Sequence, residues 1–140
     1  MFEQVCRVPL IIAVPDGDYV KGRRCDALVE LVDLFPTLSE LCALPIPKQL
    51  DGISLAPLLR EPKRPWKKTA FSAAKRGDII GRSVRTKRWR YSEYTGGSAE
   101  LYDCRIPEGA FRNQVRNDEH AEIAAQLQAL LRGSTRVRKR

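Results

Sequence analysis

Positive charge and aromatic rings alternate along one short stretch of this sequence. Arg82, Arg85, Lys87, Arg88 and Arg90 interleave with Trp89 and Tyr91. Guanidinium groups beside aromatic faces suit single-stranded nucleic acid or a sulfated polysaccharide, because the cations meet the anionic groups and the rings offer stacking surface. The competing reading is a half-buried sheet whose rings pack inward while the arginines reach water along their aliphatic stems. On the first reading Arg85 and Arg88 are the candidate substrate-binding residues.

Other chemistry-bearing residues are sparse. Glu30 and Asp33, three apart, could share a helix face as an acid–base pair, but a solvated face opposite Leu28, Leu31 and Leu38 accounts for them as well. Asp51-Gly52 could offer one oxygen to a hard cation, yet one carboxylate in a turn is too little to hold it. His120, the sole histidine, sits among polar residues at a helix start and reads as a surface side chain. Cys6, Cys25, Cys42 and Cys104 form no C-x-x-C pair, and one histidine cannot complete a zinc cluster. They read as free thiols, with disulfides open if the chain is exported. The sequence therefore offers no catalytic, cofactor-binding or metal-ligating residue.

The 140 residues are 43% hydrophobic and 30% charged, with a net charge of +8. That composition supports a packed core and excludes wholesale disorder. The charge suits a polyanionic partner without choosing one. No stretch approaches the roughly 20 apolar residues of a membrane span. Met1-Phe2-Glu3-Gln4 lacks the basic and apolar pattern of a signal peptide.

Several elements would position these residues. Val8-Pro9-Leu10-Ile11-Ile12-Ala13-Val14, closed by Pro15, Asp16 and Gly17, reads as a strand buried on both faces, yet no second run of its kind follows. Ala27 to Leu44 carries a helical period that Pro36 divides into two pieces, the second entered at the proline. Ser54 is placed to cap a short helix through Leu55, Leu58 and Leu59. Glu61 to Lys68 is basic and proline-rich and reads as an exposed connector. Ile79–Arg85, Trp89–Tyr94 and Glu100–Tyr102 read as an antiparallel meander, with Trp89, Tyr91 and Glu93 on one face of the second strand. Asn117 or Asp118 opens a last helix with Ile123, Leu127, Leu130 and Leu131 on one stripe, and Gly133 ends it.

These strings, taken in order, resemble the sulfatase family of the alkaline phosphatase superfamily. Arg7-Val8-Pro9-Leu10-Ile11-Ile12, then Val29 to Leu38, Leu50 to Leu59, Arg82 to Tyr91 and Glu100-Leu101-Tyr102-Asp103 are similar to successive landmarks of its carboxyl-terminal part. Arg112-Asn113 and the final helix follow, and the combination is most similar to iduronate-2-sulfatase-like members.

The resemblance implies an α/β to α+β fold. Residues 1–60 would be the last strand and helices of the α/β domain, 61–133 a small antiparallel-sheet subdomain with a C-terminal helix, and 134–140 a basic disordered tail. It implies sulfate ester hydrolysis, of a carbohydrate, by a formylglycine nucleophile and a calcium ion in the whole enzyme. No C/S-x-P-S-R string and no Asp-Asp pair stands in this sequence, so this chain alone is expected to be inactive. The implied partners are the N-terminal half of a sulfatase and a sulfated carbohydrate. Nucleic acid ranks behind them, and no membrane is implied. A non-catalytic basic module for a polyanion is the alternative. The start at Met1 reads as lying after the family's last active-site lysine. Relatives of this kind are often exported, and their export signal belongs to the amino end.

Overall fold

The computed structural model describes residues 2–15, 17–106 and 111–137. Met1, Asp16 and the end of the basic tail, 138–140, lie outside the described residues. In chain order the elements are α1 (Glu3–Cys6), a 3-10 turn (Leu31–Asp33), α2 (Leu34–Leu41), α3 (Ala56–Arg60), β1 (Ala70–Arg76), β2 (Ile79–Arg85), β3 (Trp89–Tyr94), β4 (Ala99–Asp103), a second 3-10 turn (Asp118–His120) and α4 (Ala121–Val137). They form two compact units, residues 1–9 with 69–140, and residues 10–68.

The sheet of the larger unit is a four-stranded antiparallel meander in the order β1-β2-β3-β4. Register follows side-chain alternation. Val84 stands opposite Tyr91, and Tyr91 opposite Leu101, so these three line one face. Leu127 and Leu131 of α4 close on that face together with Trp89, and all six residues are buried. Full burial of a side chain such as Leu101 is worth about 2 kcal/mol. Tyr91 keeps a polar handle, accepting a hydrogen bond from Gln128 Nε2 at 3.0 Å.

β4 is an edge strand, and the loop after it satisfies the backbone of that edge. Asn113 Oδ1 accepts from the amides of Leu101 and Val115 at 3.0 Å each, and its Nδ2 donates to the Ala99 carbonyl. Asn117 then opens the second 3-10 turn by accepting from the Glu119 amide.

Several sequence expectations are corrected. Residues 8–14 form no strand, and Ile11 is 91% exposed. A doubly buried strand needs a hydrogen-bonded neighbour on each side, and every strand among the described residues belongs to the one meander. β1 was not expected, because Ala70-Phe71-Ser72-Ala73-Ala74 has small residues and no clean alternation. Gly133 does not end α4, which continues to Val137; an isolated glycine costs a helix only about 1 kcal/mol. Leu130 is 48% exposed and stands off the buried stripe.

In the unit of residues 10–68, Pro36 sits in the first turn of α2, where a missing N–H costs nothing. The helix is built around Asp33, which is fully buried. Asp33 Oδ1 accepts from the Ile53 amide at 3.0 Å, and Oδ2 from the Glu30 amide at 2.8 Å and from Lys67 Nζ at 2.6 Å. Thr37 Oγ1 donates to the Asp33 carbonyl and accepts from the Leu55 amide at 2.7 Å. Lys67 also reaches Glu30 at 2.7 Å. The solvated-face reading of Glu30 and Asp33 is therefore corrected to an enclosed ion triad. The exposed-connector reading is corrected at Lys67, and at Trp66, whose indole nitrogen is buried without a hydrogen-bond partner.

Candidate functional site

Strand alternation divides the basic hairpin. Arg85 and Arg90 are opposite each other on β2 and β3 and share a face with Ser83 and Ser92, which are themselves a pair. This face is polar: Arg90, Ser83 and Ser92 are all buried. Ser83 Oγ donates to the Tyr91 carbonyl, and it accepts from Ser92 Oγ at 3.1 Å and from Arg90 Nη1 at 3.3 Å. Tyr94 donates to Glu100 at 2.7 Å at the far end.

Glu3 of α1 lies over this face. Its Oε2 accepts from Arg85 Nε at 2.9 Å, Arg90 Nη2 at 2.8 Å and Arg90 Nε at 3.1 Å, while Oε1 accepts from Arg85 Nη2 at 3.2 Å. Phe2 packs on Tyr102 and Phe111, with ring centroids 5.6 and 6.5 Å away. Burial raises the Glu3 carboxyl, but the hydrogen bonds from Arg85 and Arg90 outweigh it and hold the group below its ordinary value. Near it, burial pushes the Cys104 thiol up to about 11, so that thiol is neutral.

Arg88 goes elsewhere. It leaves the β2–β3 turn, donates from Nε to Asp103 Oδ2 at 2.8 Å, and lays its guanidinium 4.4 Å from the centre of the Trp89 ring. Burial raises the Asp103 carboxyl, yet bonds from the Arg105 amide and from the Arg88 and Arg105 side chains bring it below its ordinary value. His120 meets the Trp89 ring edge-on at 4.8 Å. The two sequence candidates thus pair with different carboxylates. The structure brings Arg85 together with Arg90, which the sequence reading left unassigned, and with Glu3, which it missed. Glu3 is 82 residues from Arg85 along the chain, and no local pattern marks such a pair.

The chain belongs to the N-sulphoglucosamine sulphohydrolase, C-terminal family, whose model matches residues 1–137, and so to the sulfatases of the alkaline phosphatase superfamily. It is 33% identical over 138 residues to a Delta 4,5-hexuronate-2-O-sulfatase of Bacteroides thetaiotaomicron, covering 93% of this chain and 28% of that protein. It is 29% identical over 137 residues to arylsulfatase K of Gallus gallus, covering 89% of this chain and 23% of that protein. The solved structure of a 2-O GAG sulfatase superposes with a TM-score of 0.66 at 33% identity, over 76% of this chain and 25% of its own. The chain thus spans about a quarter of the length of these relatives, and its four-stranded sheet with α4 is the sulfatase C-terminal subdomain.

Sulfatases generally depend on calcium and a formylglycine. The residues here do not fit either. Among the described residues no three of His, Cys, Asp and Glu are grouped to hold a metal ion. The buried carboxylate of Asp33 already accepts two amides and an ammonium. No C/S-x-P-S-R string stands in the sequence to supply the aldehyde.

Proposed function

We propose that this chain is the carboxyl-terminal part of a sulfatase that hydrolyses sulfate esters of a carbohydrate, with the nucleophile and calcium ion held by an N-terminal part. The observation that carries this reading is the family match along residues 1–137. The surface of residues 10–68 supports it. Leu31, Phe35 and Leu38 are 68%, 56% and 59% exposed although they lie in or beside a helix with a strong apolar stripe. An apolar helix face open to water is a face that lacks its layer.

Within this reading Arg85 and Arg88 border the substrate. Arg88 has the better access, with a side chain 40% exposed against 13% for Arg85. Purified chain incubated with a generic aryl sulfate and calcium is expected to show no turnover; calcium-dependent turnover well above blank overturns the division of labour. In the full-length enzyme, Arg88→Ala is expected to raise KM for a sulfated oligosaccharide by about tenfold with kcat unchanged. An unaltered KM removes Arg88 from the substrate border.

A further inference from the structure

Two guanidinium forks converge on one carboxylate at Glu3. Arg85 and Arg90 each present the same Nε–Nη2 edge to it, and each commits Nη1 to a neighbour, Arg85 to the Thr86 carbonyl and Arg90 to Ser83 Oγ. Four donors therefore face two oxygens, and the load is uneven. Oε2 accepts three of the four bonds, and Oε1 accepts one, the longest. A fork matches a carboxylate one to one, with an oxygen for each N–H. Two forks on one carboxylate must share its two oxygens, and here they share them unevenly. A sulfate ion, with four oxygens in a tetrahedron, can give each N–H its own acceptor, and the sulfo group of an ester, with three terminal oxygens, leaves only one to be shared.

Charge points the same way. Among the described residues two cations face one anion, and the Cys104 thiol beside them stays neutral. The Arg90 side chain is only 4% exposed, so water screens this excess poorly. The hairpin itself helps to place both guanidinium groups, because Arg85 and Arg90 are opposite partners in the β2–β3 ladder and their Nη1 atoms bond to the Thr86 carbonyl and to Ser83 Oγ. The cradle is thus set by the hairpin, while its present occupant arrives on a helix of four residues.

We propose that Arg85 and Arg90 form a binding site for a tetrahedral sulfur oxyanion, a sulfate ion or the sulfo group of a sulfate ester, and that Glu3 is an internal occupant that competes for it. The site shares Arg85 with the functional reading above, but it is tested by binding alone, so loss of one does not entail loss of the other.

The experiment follows the unfolding midpoint of the full chain, wild type and Glu3→Gln, in sodium sulfate and in sodium chloride at matched ionic strength. Sulfate also stabilises folded proteins generally by exclusion from their surface, which gives a shallow, unsaturable rise in every variant. Glu3→Gln is expected to show an added, saturable rise at about millimolar sulfate, as mass action requires of a ligand that binds only the folded state. The wild type is expected to lack it, and Glu3→Gln combined with Arg85→Met is expected to lose it. A response in Glu3→Gln no larger than in the wild type overturns the proposal, as does an equal response in the double variant. If Glu3→Gln does not fold in chloride, refolding that depends on sulfate is the expected result, and no refolding in sulfate overturns the proposal. A parallel titration with glucosamine 6-sulfate separates the sources. Saturation by both ligands admits ester and free anion, saturation by one assigns the site to that form, and saturation by neither overturns it.

Discussion

At Glu3 burial and pairing pull in opposite directions, and pairing wins. The carboxyl lies below its ordinary value of 4.5 because Arg85 and Arg90 stabilise the charged form more than burial penalises it. A carboxyl depressed in the folded state contributes stability that is fully present above its unfolded pKa and is lost as pH falls through the folded one. Glu3→Gln has no such titration. Denaturant unfolding should therefore show the wild type more stable than Glu3→Gln at about pH 7, with the gap closing toward about pH 3. Asp103 is depressed as well, but it is present in both proteins and cancels in the comparison. A gap that stays constant across this range would mean that Glu3 acts through packing, for instance by seating Phe2 on Tyr102, and not through its charge.

At the scale of elements, Gly52 ties a loop to a helix start. A Cβ built there would stand 2.0 Å from the Val32 carbonyl oxygen, a backbone atom that cannot swing away. The close approach delivers the Ile53 and Leu55 amides to Asp33 and Thr37. Gly52→Ala is expected to cost about 2 kcal/mol or more by forcing the loop off the helix. Amide exchange at Ile53 and Leu55 should quicken at least about tenfold, while β3 amides in the other unit keep their protection. Unchanged exchange at Ile53 would show that the loop has another way to seat. The sequence revealed Asp51-Gly52 as a turn, but the partner of that turn lies 20 residues away and leaves no local trace. Legibility followed periodicity throughout. Val84, Trp89, Tyr91 and Leu127 alternate or repeat at the spacing of their element, so β2, β3 and α4 could be read directly. β1 is small-residue backbone that is a strand only because β2 pairs with it. Val8 to Val14 has strand composition and no partner, so propensity alone misled. Arg85 was visible as a charge. Its counter-ion Glu3 was not, because pairing over 82 residues is a product of the fold.

For the whole molecule the deciding quantity is what stays exposed. The sheet unit buries Val84, Tyr91 and Leu101 under α4, whereas residues 10–68 leave Leu31, Phe35 and Leu38 in water. Two explanations compete. Either these side chains are loosely packed core of this chain, or they are an interface for the N-terminal part of a sulfatase. The explanations differ in the size of the effect of one double substitution, Phe35→Ser with Leu38→Ser. Core side chains cut down this far would cost several kcal/mol, as Leu101→Ala should, at about 2–5 kcal/mol. Interface side chains already in water would cost within about 0.5 kcal/mol each, and their removal would shrink a sticky patch. The expected outcome is an unfolding midpoint close to wild type, less self-association by light scattering, and loss of binding to a separately expressed N-terminal sulfatase part. A midpoint that falls as far as that of Leu101→Ala would place Phe35 and Leu38 in this chain's own core, and the docking role proposed for α2 would go with it.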